Sequence, residues 1–435
     1  MRIAGVLKSA AFAAAVAAAL MCSACSGSSS DNSKTQSSSA KTSGAQADSG
    51  QQSEKTAAIP DAESVRIEDE NFDIYTSNTY LSTGNNALAK NADNTTYRAY
   101  IPVEEYGELE YCFYFSNIVD STYNKGKPVF VGKDGPDYTI ASANVYDGGE
   151  SEADEPVLLS SVTFGGSESR EVLSDEAFWS DPVTLDIPQG HYLVWEWTLT
   201  GKNIPANSQA DLTCALQKGK KDDDFTYCGD IPLPVFIGAK REQVTDRVMM
   251  VGDSITQGCQ TEYMKYEYWA AQIAKQLGDN ASLWNCGLGW ARSSDLDTCG
   301  NWLGRSSNCD TAVIAFGTND ILAGDYNGDG KGDSADEMIG YVSDLIARYH
   351  AAGAERIIVF NAPPQDFSEE KEAVRTEYNE KLQALCEDYG VEYFDFASYL
   401  CDPETPDKAK YGGHPNGEAG KIVGDAFIEK YADVL

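Results

Sequence analysis

Histidine is the scarcest chemistry-bearing residue in this chain. Only His191, His350 and His414 occur in 435 residues. A metal centre built from several imidazoles is therefore nearly excluded, and a catalytic imidazole has three candidates. Basic residues are also few: 33 Lys and Arg against 68 Asp and Glu give a formal net charge of −35. A chain this acidic repels a polyphosphate backbone, so nucleic acid is not expected as a partner. No apolar run is long enough to span a bilayer as a stable helix; the alanine-rich stretch behind Arg2 and Lys8 ends at Met21. Residues 26–57 lack every aromatic and also Val, Ile, Leu and Met. They cannot bury enough apolar surface to repay ordering. The whole chain is nevertheless 42% hydrophobic and 23% charged, which excludes a wholly disordered, collagen-like or polytopic membrane protein.

What is present at the N-terminus reads as an address. A charged start followed by a short apolar run fits a secretory signal. It ends in Leu20-Met21-Cys22-Ser23-Ala24-Cys25, and small residues before a cysteine resemble the bacterial lipobox. Cys25 is the preferred lipidation site and Cys22 the other candidate. The expectation is an exported lipoprotein at the outer face of a bacterial cell membrane, touching the membrane through its lipid alone. Residues 1–24 would be removed, and residues 25–58 would form a tether spanning on the order of 30 Å. Eleven cysteines less Cys22 and Cys25 leave nine, an odd number that leaves one thiol free if all pairing is intramolecular. Export permits disulfides, and Cys299 with Cys309 or Cys214 with Cys228 are near in sequence, though connectivity is not readable.

Two folded regions follow. Residues 59–243 read as short strands separated by turns. Residues 109–115 and 192–199 are rich in β-formers, and Asp134-Gly135 and Gly165-Gly166 mark turns. No amphipathic helix stands out there, so an all-β, jelly-roll-like sandwich is expected. Trp195 and Trp197 share one strand face, a pattern more common in a core than in a sugar-binding platform. From residue 244 to 435 the pattern alternates. Strands are expected at 247–251, 311–316, 356–360 and 391–396, with helices at 266–277, 337–352 and 368–389. Such alternation implies an α/β region with a parallel sheet flanked by helices, whose ligands sit beyond the carboxyl ends of the strands.

Four fragments fall at those ends: Gly252-Asp253-Ser254-Ile255-Thr256, Asn285-Cys286-Gly287, Gly317-Thr318-Asn319-Asp320 and His414-Pro415-Asn416. A serine on a strand-to-helix turn exposes its hydroxyl at the sheet edge. The Gly-x-Ser-x-Gly elbow of α/β-hydrolases is absent. In this order the four fragments resemble the SGNH, or GDSL-type, hydrolases over roughly residues 246–435. Phe115-Ser116-Asn117, Val162-Thr163-Phe164-Gly165-Gly166 and Ser180-Asp181-Pro182-Val183 resemble the β-rich N-terminal domain of some secreted members. The two-domain layout is similar to that of SGNH-type acetylxylan esterases.

The resemblance implies Ser254 as nucleophile and His414 as general base, since a hydroxyl needs an imidazole to take its proton. It implies an oxyanion hole from the N–H groups of Ser254 and Gly287 and the side-chain amide of Asn319. His191 and His350 are left as structural. One position departs from the family. The triad acid usually stands three residues before the histidine, where this chain has Tyr411. Either a backbone carbonyl orients His414 in a Ser-His dyad, the preferred reading, or a carboxylate such as Asp407 reaches in.

A second pattern is a calcium loop over residues 325–336, with Asp325, Asn327, Asp329, Asp333 and Asp336 as oxygen donors and a backbone carbonyl at Lys331. It resembles one dockerin-type repeat; a dockerin needs two, so cohesin docking is not expected. Catalysis needs no cofactor, and calcium would be structural. The leading expectation is a cell-surface serine esterase that removes a small acyl group, above all acetyl, from a small molecule or polysaccharide. The alternatives are a glycan-binding lipoprotein with weakened catalysis and a lipase or thioesterase of the same family.

Overall fold

The computed structural model describes residues 57–122, 129–208, 212–220, 222–323 and 331–431. The expected signal peptide, Cys22, Cys25 and nearly all of the tether lie outside the described residues. Among those described, no helix is long and apolar enough to cross a membrane.

The β-forming segments of the first region assemble into two antiparallel sheets. One runs Thr76–Ser77, Phe236–Ala239, Gly107–Ser116, Ala177–Trp179, with Val183–Ile187 also pairing to Gly107–Ser116. The other runs Thr226–Tyr227, Ala215–Lys218, Ala92–Ile101, Leu193–Gly201, Tyr138–Asp147, Val157–Val162, with Arg170–Val172 on Tyr138–Asp147. Tyr111, Phe113 and Phe115 of the first sheet meet Val145, Trp195 and Trp197 of the second in one core. The Phe113 and Trp195 rings lie 4.8 Å apart, and both tryptophans are buried in this core rather than displayed. Among the described residues here, only Asn71–Ile74 is helical.

The strand Gly107–Ser116 does not alternate cleanly, because both its faces are covered. Cys112 and Tyr114 point away from the sandwich into a second core with Met249, Val251 and Trp284. Phe236 seals the same junction, its ring 4.6 Å from Trp284. Apolar packing therefore runs across residues 243 and 244, and all described residues fall in one compact unit.

The second region is an α/β layer structure. Five parallel strands lie in the order Ala281–Asn285, Asp246–Gly252, Thr311–Ala315, Arg356–Phe360, Glu392–Phe394. Val248-Met249-Met250-Val251 is apolar without a break because both faces are buried. Met249 and Val251 turn to one core, Val248 and Met250 to the other. The first is covered by Ala335–Ala351 and Glu369–Tyr389, the second by Trp269–Ala274 and Gly417–Tyr431. The helix expected at 266–277 shrinks to Trp269–Ala274, since Tyr266 holds φ +49° and cannot sit in a right-handed turn.

The chain leaves Asp246–Gly252 first toward one edge of the sheet and then toward the other. That reversal opens a crevice at the carboxyl end of this strand. None of the nine described cysteines is in a disulfide. The two suggested pairs are thereby corrected. Cys214 and Cys228 lie in different clusters, and Cys299 and Cys309 lie beyond opposite ends of Gly300–Ser306.

Candidate active site

Ser254 opens the short helix Ser254–Gln257 directly after Asp246–Gly252. Asp253 caps that helix, accepting a hydrogen bond from the Ile255 N–H at 2.8 Å, and burial pushes its carboxyl pKa up to about 7. Residue 252 must be glycine: a Cβ there would stand 2.6 Å from the Ala315 carbonyl. As first residue of its helix, Ser254 has no carbonyl one turn earlier to take its N–H.

His414 comes from the other end of the region. Asn416 accepts from the Ala419 N–H at 3.1 Å and so fixes the start of Gly417–Tyr431. Gln365 Nε2 donates to the Gly413 carbonyl at 2.8 Å, pinning the approach. His414 Nε2 then lies 2.8 Å from Ser254 Oγ. Burial lowers the His414 pKa, which keeps the ring neutral and able to accept a proton.

Among the described residues, Ser254 is the one hydrogen-bond partner of the His414 ring. Tyr411 is partly buried and packs against the core that holds Ile255 and Trp269. Asp407 is corrected as a triad acid. Its strand Thr405–Ala409 folds back on Cys401–Asp402, and its carboxylate, 47% exposed, pairs with Lys408 at 3.2 Å. His191 bonds Asp147 at 2.7 Å within the β-rich region, and His350 is exposed in the last turn of Ala335–Ala351. Neither joins the site.

Gly287 is a second correction. Its N–H donates to Asn285 Oδ1 at 3.0 Å in a buried Asx turn and is not available to an oxyanion. The loop approaches the serine two residues later. A Cβ on Gly289 would lie 4.0 Å from Ser254 Cβ. The Gly289 N–H donates to Gln257 Oε1 at 2.7 Å, and its carbonyl accepts from Ser121 Oγ at 3.2 Å. Trp290 follows with φ +68°, and its N–H has no hydrogen-bond partner among the described residues. Asn319 is buried at the start of Thr318–Ala323. It gives one amide hydrogen to the Ala291 carbonyl at 3.1 Å, and the other has no partner among the described residues. Asp320 braces the two loops, accepting from Ser293 N–H at 3.0 Å and Gly317 N–H at 3.1 Å.

Sequence reading missed Trp290, Asp320, and two hydroxyls of the β-rich region, Ser121 and Ser82. Ser82 Oγ donates to the Gly287 carbonyl at 2.6 Å. Asp320 closes a fragment already singled out, without a role read for it, and Trp290 lies shortly beyond another; nothing local marks the two serines.

Of the calcium loop, Asp325, Asn327 and Asp329 lie outside the described residues. Asp333 is buried with neither carboxylate oxygen hydrogen-bonded. Asp336 is instead ion-paired to Lys381, and Lys331 would offer only its carbonyl. Among the described residues no three side chains group as a metal site.

Residues 250–422 match the model of the GDSL-like Lipase/Acylhydrolase family. No curated protein matches the chain. Among solved structures it is similar to a member of the lipolytic protein G-D-S-L family from Veillonella parvula, at 18% identity and TM-score 0.34 over 43% of this chain and 99% of that one. It is similar to an acetylxylan esterase from Geobacillus stearothermophilus at 16% identity and TM-score 0.36, over 43% and 94%. A GDSL-like lipase from Bacteroides thetaiotaomicron matches at 15% identity and TM-score 0.33, over 44% and 89%.

Proposed function

Residues 250–422 are a GDSL-like lipase/acylhydrolase domain, and on that premise we propose that the chain is a serine esterase cleaving small acyl esters, above all acetyl, on carbohydrates. The observation that carries the chemistry is the 2.8 Å contact of Ser254 Oγ with His414 Nε2 at the strand-end crevice. In this reading the Ser254 hydroxyl donates to Nε2 and attacks the ester carbonyl while the imidazole takes the proton. Charge building on the carbonyl oxygen is met by the N–H groups of Ser254 and Trp290 and the free amide hydrogen of Asn319. The imidazolium then protonates the leaving sugar oxygen, and water, deprotonated by His414, releases the acid from Ser254.

Nothing charged orients His414 in this scheme, so the pair works as a dyad. The test is turnover of acetyl esters by single variants. Ser254→Ala should abolish it with the fold intact, whereas Asp407→Asn should stay within a few-fold of the parent. Retained turnover in Ser254→Ala would overturn the assignment, and a collapse in Asp407→Asn would restore a triad. Export and lipid anchoring through Cys25, with the tether holding the enzyme off the membrane, belong to the same proposal and rest on the N-terminal sequence.

A further inference from the structure

Eight residues other than glycine hold a positive φ among those described. Asn94, Asp175, Asn203 and Asp366 are of types that enter this region readily. Gln260, Met264, Tyr266 and Trp290 are not. All four lie in segments that follow two neighbouring strands of the parallel sheet, Asp246–Gly252 and Ala281–Asn285. Each costs about 1–2 kcal/mol, and such strain persists where surrounding bonds over-determine the backbone.

Trp290 differs from the rest in what its ring does. The other six tryptophans pack in or against the hydrophobic cores. Trp290 belongs to none of them and is 38% exposed. Its backbone is nevertheless fixed through Gly289, held by Gln257 of the nucleophile helix on one side and by Ser121 of the β-rich region on the other. An indole left outside the cores, on a strained and anchored backbone next to a glycine whose Cβ would lie 4.0 Å from Ser254 Cβ, is open to a ligand at the nucleophile.

We propose that the Trp290 ring is the platform on which a neutral pyranose stacks while its ester reaches Ser254. This rests on the esterase reading above and specifies its alcohol. The chemistry around the ring favours a sugar over a long acyl chain. The buried Asn86 amide nitrogen has no hydrogen-bond partner and lies 3.3 Å from the point where a Gly289 Cβ would stand. With Gln257 and Ser121 also bonded to Gly289, the loop that carries the ring is lined by polar groups rather than by an apolar wall. A pyranose has one C–H face for an aromatic ring and a polar edge; an acyl chain wants a continuous apolar wall. The formal charge of −35 disfavours a uronate or phosphorylated sugar.

The test compares the parent protein, Trp290→Gly and Trp290→Phe on ethyl acetate and on a mono-O-acetyl methyl glucopyranoside. Glycine adopts the left-handed backbone without strain, and phenylalanine restores a ring. Trp290→Gly should lower the ratio of glucoside to ethyl acetate kcat/KM about tenfold, mainly through KM, and Trp290→Phe should recover most of it. A ratio unchanged within twofold overturns the platform. A selective loss on ethyl octanoate instead makes the ring an acyl-chain seat and also overturns it. A parent enzyme that cleaves ethyl acetate but no acetylated sugar contradicts the carbohydrate reading itself, before any variant is measured.

Discussion

A histidine that serves as a base must be neutral when the ester arrives, and burial secures that for His414. The sign of its shift separates two mechanisms. Desolvation alone moves an imidazole below its ordinary value of about 6.5, whereas a paired carboxylate would move it up. The acid limb of kcat/KM should therefore lie below pH ~6.5, activity falling as the ring gains a proton. A limb at or above that value would reveal a carboxylate partner. Ser254 and Asn319 were legible because each sits in a short fragment at a strand end, and His414 because its fragment leads into the last helix. Gly287 was misread because an oxyanion donor is a backbone N–H, and the direction of an N–H follows φ and competing acceptors rather than residue type. The Asn285 side chain takes the Gly287 N–H; the Trp290 N–H, without a hydrogen-bond partner among the described residues, is the donor proposed in its place, on a left-handed backbone that no local rule would assign to an aromatic.

Between elements, one bolt is electrostatic. Arg305, on Gly300–Ser306, makes a two-pronged ion pair with Asp120 of the β-rich region, at 2.8 and 2.7 Å. The side chains are 1% and 0% exposed. Removing one partner strands a buried charge, so Asp120→Ala should destabilise the protein by about 3–5 kcal/mol in denaturant unfolding. A loss under 1 kcal/mol would show that the pair is dispensable. The elements themselves were mostly readable. The apolar run at 247–251 and the helices Ala335–Ala351 and Glu369–Tyr389 declare themselves by their apolar pattern; the caps Ser334 and Ser368 emerge only in the structure. The pairing of Asp120 with Arg305, 185 residues apart, left no trace in local pattern.

At the scale of the whole molecule, the β-rich region is part of the active site's frame. Its Ser82 and Ser121 hold the loop beside Ser254, and its Cys112, Tyr114 and Phe236 close over Trp284. Thermal unfolding should therefore be one cooperative transition, with ester turnover lost in step. Two resolved transitions would mean that the regions are thermodynamically separate. Composition separated an all-β from an α/β stretch, but could not tell that Gly107–Ser116 is covered on both sides. Its unbroken run from Tyr111 to Phe115 was the one hint.

If His414 makes Ser254 a reactive nucleophile, Ser254 should be open to covalent capture. Treated with a small fluorophosphonate and examined by peptide mass spectrometry, the intact protein should carry one phosphonyl group, on the peptide holding Ser254. Labelling should vanish in Ser254→Ala and slow by several orders of magnitude in His414→Ala. A label on another residue, or none under conditions where ester turnover is measured, would contradict it.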